Sequence, residues 1–148
     1  GDVRTAVFDS TGLRVLTASD DGTACIFDID TPTPAVTTFR ARQSLSCAAF
    51  HPDGQSALAA CRDGTVSLFD VTSGRLSRTL DAHRSSPKPA VLTATFSPGG
   101  SRILTASEDC TAKIINAETG ECEAEFRGHA GTVTTAAFSL DGVEGSEW

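Results

Sequence analysis

The chain has few of the residues on which nucleic-acid and metal sites depend. Its 148 residues include no Tyr, one Trp and only three His, and 19 acidic residues outnumber 12 basic ones. Without Tyr, and with Trp148 as its one Trp, the sequence gives no support for a platform that stacks single-stranded bases. A formal net charge of −7 also argues against nucleic-acid binding, which relies on basic surface. No His lies at metal-ligand spacing from Cys, so we expect no metal and no cofactor.

Long apolar runs and paired cysteines are missing as well. No apolar stretch approaches the ~20 residues that cross a bilayer, so we expect no membrane contact. The five cysteines are scattered, odd in number and without a C-x-x-C motif. Such cysteines behave as small apolar residues. They favour a reducing cytoplasmic setting, with the nucleus as an alternative.

What the chain does have is an internal repeat. A phenylalanine followed by a turn that ends in glycine recurs four times, at Phe8/Gly12, Phe50/Gly54, Phe96/Gly100 and Phe138/Gly142. The glycines are 42, 46 and 42 residues apart. A period in the low forties is typical of stacked or radial arrays. A unit of such an array cannot bury its apolar face alone.

Each unit divides into four short apolar runs separated by polar turns, which is an all-β pattern. The dipeptides Asp21-Gly22 and Asp63-Gly64 predict tight hairpins between the second and third runs. Cys110 stands where the third unit would have that glycine. We therefore expect a strained turn there if the geometry is kept.

The ends of the units identify the repeat. The third runs close on Phe27-Asp28, Phe69-Asp70 and Ile115-Asn116, and Ala82-His83 and Gly128-His129 precede units three and four. This pattern resembles the WD-repeat family of β-propellers, with its G-H opening and W-D close. The resemblance implies one all-β domain over 1–148, a partial WD-repeat β-propeller of four-stranded antiparallel blades. The expected blades are 3–39, 45–80 and 91–126, followed by the first strand of a fourth at 133–138 and an irregular tail at 139–148.

The resemblance also implies a hydrogen-bonded tie within each blade, made by a His, a Ser or Thr, the turn Asp and the Trp. The matching residues are His83, His129, Asp21, Asp63, Asp109 and either Thr105 or Ser107. Arg42 stands at the His position of the first loop. Phe and Ile have no indole donor, so the full relay cannot form, and we expect His83 to bond Asp109. Ser107, His83 and Asp109 could also be read as a catalytic set, but the tie explains them, and we expect no enzyme.

One loop could bind partners. The segment between the second and third blades is four residues longer than its counterpart after His129. In the family such loops share a face with the turns between the second and third strands. That would bring together Arg42, Arg62, Arg84 and Lys88. Four bases on one face favour an acidic or phosphorylated peptide, with an ordinary solvated loop as the alternative.

The resemblance implies a non-catalytic scaffold for protein–protein contacts within a multi-subunit assembly. The alternative is a substrate-receptor or adaptor portion of a larger enzyme complex, such as a ubiquitin ligase. The docking arginine of such adaptors is replaced here by Asp30, Thr72 and Glu118. Three blades and a strand fall short of a closed ring. We therefore expect a section of a larger propeller, or two copies that close one ring as a homodimer.

Overall fold

The computed structural model describes residues 1–33 and 35–139. Within them the chain forms twelve strands and contains no helix that could cross a membrane. The strands are β1 Val3–Phe8, β2 Arg14–Ser19, β3 Thr23–Asp28, β4 Val36–Arg40, β5 Leu45–Phe50, β6 Ser56–Cys61, β7 Thr65–Asp70, β8 Leu76–Asp81, β9 Val91–Phe96, β10 Arg102–Ser107, β11 Ala112–Asn116 and β12 Cys122–Phe126.

The strands form three separate four-stranded sheets, with orders β1-β2-β3-β4, β5-β6-β7-β8 and β9-β10-β11-β12. All neighbours are antiparallel, so each sheet is a meander in chain order. The predicted all-β fold of four-stranded antiparallel blades is confirmed, and we call the sheets blades 1, 2 and 3. Their spans are 3–40, 45–81 and 91–126, against the predicted 3–39, 45–80 and 91–126.

One predicted strand differs. Residues 133–138 carry no strand assignment, although they were expected to open a fourth blade. The first strand of a blade takes its ladder from the second strand of the same blade, and the described residues supply no such neighbour. Val133 instead donates its N–H to the carbonyl of Ser107, at 3.0 Å. The predicted tail lies outside the described residues apart from Ser139.

The hairpin between the second and third strands has the same shape in every blade. Gly22 and Gly64 lie at φ +82° and +86°, in the left-handed region that glycine enters at no steric cost. Cys110 holds the third such position at φ 69°. The chain therefore keeps this turn even where the side chain opposes it.

Two interfaces hold the blades together. In the first seam, between blades 1 and 2, β5 packs against β1 and β2; in the second seam, between blades 2 and 3, β9 packs against β5 and β6. Blade 2 is covered on both faces, so the residues of β6 from Ala57 to Cys61 are buried without a break. In β2, burial alternates over Val15–Ala18, as for a strand with one covered face.

The first seam has an aromatic stack and a half-buried ion pair. The rings of Phe39 and Phe69 are parallel, with centroids 4.5 Å apart. At the opposite end of the strands, Arg14 Nε lies 2.8 Å from Asp9 Oδ2, and a second guanidinium nitrogen donates to the carbonyl of Gly54 at 3.0 Å. The pair thus ties blade 1 to blade 2.

The outer face of blade 1 is covered by no other sheet in the part of the chain that the structure describes. Its apolar row crosses all four strands, in the order Phe8, Val15, Phe27 and Val36. Phe8 is 67% exposed and Val36 50%. In blade 2 the matching row, which includes Phe50 and Phe69, packs into the first seam.

Candidate functional site

The long loop between blades 2 and 3 inserts His83 into the second seam. The side chain is fully buried. Its Nδ1 lies 2.7 Å from Asp109 Oδ2, and its Nε2 lies 2.9 Å from Thr105 Oγ1. Because His83 follows β8 while Thr105 and Asp109 belong to blade 3, this tie joins two blades.

The carboxylate of Asp109 is fixed on both oxygens. Oδ1 accepts the N–H and the hydroxyl of Thr111, at 2.9 and 2.6 Å, so Oδ2 is left for His83. Burial raises the pKa of Asp109, but hydrogen bonds from Thr111 and His83 outweigh it and the pKa is lowered. Burial lowers the pKa of His83 despite the opposing effect of Asp109. We therefore assign a neutral imidazole that donates from Nδ1 and accepts from Thr105 at Nε2.

Ser107 does not join this imidazole. Its hydroxyl donates to the carbonyl of Ala90 at 2.9 Å, which closes the long loop onto β10. Of the two residues that the sequence left open, Thr105 is the one that contacts His83. A Ser–His–Asp relay is therefore absent at this position, and the buried imidazole could not meet a substrate in this conformation.

The first seam has the same turn without the imidazole. Asp63 Oδ1 accepts the N–H and the hydroxyl of Thr65, at 3.1 and 2.6 Å, as Asp109 does with Thr111. No hydrogen-bond partner for Asp63 Oδ2 occurs among residues 1–33 and 35–139. Arg42, at the sequence position of the missing histidine, is exposed.

The short first loop places Ala41 where the long loop has His83. Ala41 donates its N–H to the carbonyl of Gly22 at 2.8 Å, whereas in the long loop His83 donates to Gly64 at 3.1 Å. Counted from the end of the fourth strand, Arg42 corresponds to His83, but Ala41 makes the bond that His83 makes, 19 residues after the acceptor glycine in both loops. The imidazole position at Asp63 is therefore vacant.

A groove of about 460 Å³ opens at this vacant position, and we call it the first-seam groove. Its lining residues are Phe39, Arg40, Ala41, Arg42, Cys61, Asp63, Thr65, Ser67, Leu76, Thr79 and Lys88. Three of them are basic and one is acidic. None of Arg40, Arg42 and Lys88 is in an ion pair among the described residues.

The groove brings together only part of the predicted basic set. Arg42 and Lys88 lie in it, whereas Arg84 pairs with Asp81 at 3.3 Å and lines a separate cavity. Arg62 lies towards Asp20, whose pKa is lowered mainly by the hydrogen bond from Arg4 and further by the charge of Arg62. The groove therefore contains two of the four predicted bases, whereas Arg62 and Arg84 have acidic neighbours of their own.

Arg40 is the groove residue that sequence reasoning missed. It ends β4 directly after Phe39, which points into the first seam. The alternation of the strand gave a signal, because it directs Arg40 away from that core. Only the packing of blade 2 against β4 shows that this basic side chain borders a groove.

The other predicted tie residues have no imidazole partner. His129 is exposed and takes part in no described hydrogen bond. Asp21 accepts the N–H of Thr23 at 2.9 Å and the N-terminal ammonium at 3.4 Å. Within the described ranges, no group of three or more His, Cys, Asp or Glu side chains could hold a metal ion.

Comparison with known families identifies the repeat. A family model described as "WD domain, G-beta repeat" matches residues 1–28, 34–70 and 74–116. No curated protein matches the chain. The matched stretches end with β3, β7 and β11, and the second and third also take in β4 and β8. Each of these repeats therefore joins the outer strand of one blade to three strands of the next.

Proposed function

Because the chain belongs to the WD domain, G-beta repeat family, we propose that it is a non-catalytic scaffold that docks an acidic or phosphorylated protein segment in the first-seam groove. WD40 repeats generally mediate protein–protein contacts, and the fold is typically non-catalytic. The partner would join this chain in a multi-subunit assembly. The five free cysteines support a cytoplasmic or nuclear setting.

The observation that carries the proposal is the charge of the groove. Arg40, Arg42 and Lys88 line it against one carboxylate, that of Asp63, on a chain whose net charge is −7. A cleft lined by one sign of charge focuses its field and steers ions of opposite sign towards it. Arginine forks also match carboxylate and phosphate oxygens in a bidentate way. An anionic segment is therefore the ligand that these side chains favour.

The test is binding of fluorescent peptides rich in Glu, with and without phosphoserine, followed by anisotropy. We expect the triple variant Arg40→Ala, Arg42→Ala, Lys88→Ala to lose at least about tenfold in affinity, since each lost charged contact removes roughly 1 kcal/mol or more. We also expect wild-type binding to weaken as salt rises, because exposed charges are screened.

The matched control removes three exposed bases outside the groove, Arg62→Ala, Arg75→Ala and Arg127→Ala. Both triples lower the charge equally, and both should change stability by no more than about 0.5 kcal/mol per site. Equal loss of affinity in the two triples would mean that the peptides sense net charge only. If the variant with Arg40, Arg42 and Lys88 replaced keeps full affinity, the proposal is overturned.

The uncovered face of blade 1 supports a second proposal, that a further copy of the chain covers it as part of one ring. Phe8 and Val36 are too exposed there to contribute their apolar burial, and large exposed apolar patches mark association sites. Light scattering after size exclusion should show a discrete species of twice 15.3 kDa. A monomer at every concentration would overturn this. The adaptor alternative gains no support, because the docking arginine is missing at Asp30, Thr72 and Glu118.

A further inference from the structure

Resting on the proposed function, we infer that the floor of the first-seam groove is a histidine socket, and that the docked segment fills it with an imidazole of its own. The acidic residues of that segment would contact the basic rim, while its histidine would enter beside Asp63. The chain itself shows the bound form of such a ring, at the equivalent place in the second seam.

The two turns are equivalent atom by atom. Asp63 is held through Thr65 as Asp109 is held through Thr111, with hydroxyl distances of 2.6 Å in both. In blade 3 the second carboxylate oxygen meets His83 at 2.7 Å. In blade 2 that oxygen has no hydrogen-bond partner among the described residues, and Asp63 and Thr65 both line the groove. The missing element is therefore one N–H donor at a position that the fold has already oriented.

The floor of the socket also offers a hydroxyl. Ser67 is only 6% exposed, and among the described residues its hydroxyl has one hydrogen-bond contact, with the thiol of Cys61 at 4.0 Å. This distance leaves the hydroxyl free to donate to a better acceptor. Ala59 replaces Thr105 in the repeat, so Ser67 is the nearest substitute for the hydroxyl that His83 has at its Nε2. A ring with one donor and one acceptor nitrogen can use both Asp63 and Ser67.

The basic rim disfavours cationic donors. A lysine or arginine of a partner would bring positive charge next to Arg40, Arg42 and Lys88, and like charges repel. A neutral imidazole supplies the N–H without the charge. A primary amide also has a donor and an acceptor, and it therefore serves as the discriminating probe.

The experiment is a titration of the 15N-labelled full chain with free imidazole, followed by amide chemical shifts. At about pH 8 most of the free imidazole is neutral, because imidazole rings titrate at lower pH, as does the histidine side chain at about 6.5. We expect saturable shifts at Cys61, Gly64 and Thr65 with a roughly millimolar dissociation constant, and no shifts at Cys110 and Thr111, where His83 already occupies the site. Asp63→Asn should weaken binding about tenfold, because a hydrogen bond to a charged acceptor is lost.

Acetamide and the variant His83→Ala complete the test. Acetamide should bind more weakly than imidazole, and in His83→Ala free imidazole should also shift the Asp109 turn. Absence of saturable shifts at the Asp63 turn, shifts that persist undiminished in Asp63→Asn, or tighter binding of acetamide would each overturn the inference. The titration needs no partner and does not depend on the basic rim. Its failure would therefore leave the docking proposal standing, and failure of the docking proposal would leave the socket open to this test.

Discussion

The two seams of this protein share one architecture and differ at one buried ring. In the second seam His83 closes the space between blades and satisfies Asp109 and Thr105. In the first seam the same turn is present, the ring is missing, and a groove of about 460 Å³ takes its place. The comparison teaches that the tie is a removable part of the repeat, because the strands on either side pack in both cases.

Away from the aspartate turns, each seam has contacts of its own. The first seam contains the Phe39–Phe69 stack and the Asp9–Arg14 pair, which reaches Gly54 of blade 2. At the corresponding turn of the second seam, His51 Nε2 lies 3.1 Å from the carbonyl of Gly100. The His51 ring packs edge-on against Phe96. The first seam thus has its ionic contact away from the groove, which leaves the groove free to accept a ligand.

The largest loss of stability is expected when the tie of the second seam is removed. His83→Ala should lower the free energy of unfolding by about 2–4 kcal/mol, because it leaves a cavity and removes buried partners from Asp109 and Thr105. Urea unfolding followed by circular dichroism measures it. The matched control is His129→Ala, at the same position of the next loop but exposed, which should change stability by less than about 0.5 kcal/mol. If the two variants lose the same free energy of unfolding, the tie does not stabilise the protein more than an exposed histidine does.

The next largest effect is a loss of stability at low pH, caused by protonation of Asp9 at the first seam. Burial would raise the pKa of Asp9, but the hydrogen bonds of Arg14 and Thr11 and the charge of Arg14 lower it from 3.8 to about 2. A carboxyl with a lowered folded-state pKa stabilises the protein above its unfolded value and loses that contribution as the pH falls. About 2 kcal/mol should therefore be lost between pH 4 and pH 2.

The variant Asp9→Asn isolates this loss. Unfolding measured from pH 5 to pH 2 should be flatter for Asp9→Asn than for wild type, and Asp30→Asn, an exposed control, should keep the wild-type slope. His83 adds an earlier and separate loss. Burial lowers its folded-state pKa, so protonation at pH values below its ordinary 6.5 favours the unfolded chain. A pH profile of Asp9→Asn that matches wild type would contradict the role given to Asp9.

The smallest effect concerns the turns that carry the two aspartates. Cys110→Gly should stabilise the protein by about 1 kcal/mol, because it relieves a side chain held at φ 69°. Gly64→Ala should do the reverse, since its Cβ would lie 2.5 Å from the carbonyl oxygen of His83. Thermal unfolding of both variants measures these changes in stability. A midpoint below that of wild type for Cys110→Gly would show that a contact of the thiol stabilises the turn by more than the backbone strain costs.

Much of the fold could be predicted from the chain alone. The spacing of Phe8, Phe50 and Phe96 indicates the repeat, and the expected blade spans lie within one residue of the observed ones. The strand expected at 133–138 did not form, because a strand depends on a neighbour and periodicity reports only its own side chains. Two of the four predicted bases, Arg42 and Lys88, line the groove. The charges of Arg42 and Lys88 are visible in the sequence, but the acidic neighbours of Arg62 and Arg84 lie on other turns and strand ends.

By itself the sequence determined the repeat, the all-β class and the turn at each aspartate, because these follow from local backbone preference and from alternation along single strands. The tertiary structure decided which hydroxyl meets His83, that a shorter loop leaves Asp63 with an unused oxygen, and that Arg40, Arg42 and Lys88 border one groove. These outcomes depend on the distance between blades. That distance is set by the packing of side chains such as Phe39 and Phe69 across a seam, which no single repeat encodes.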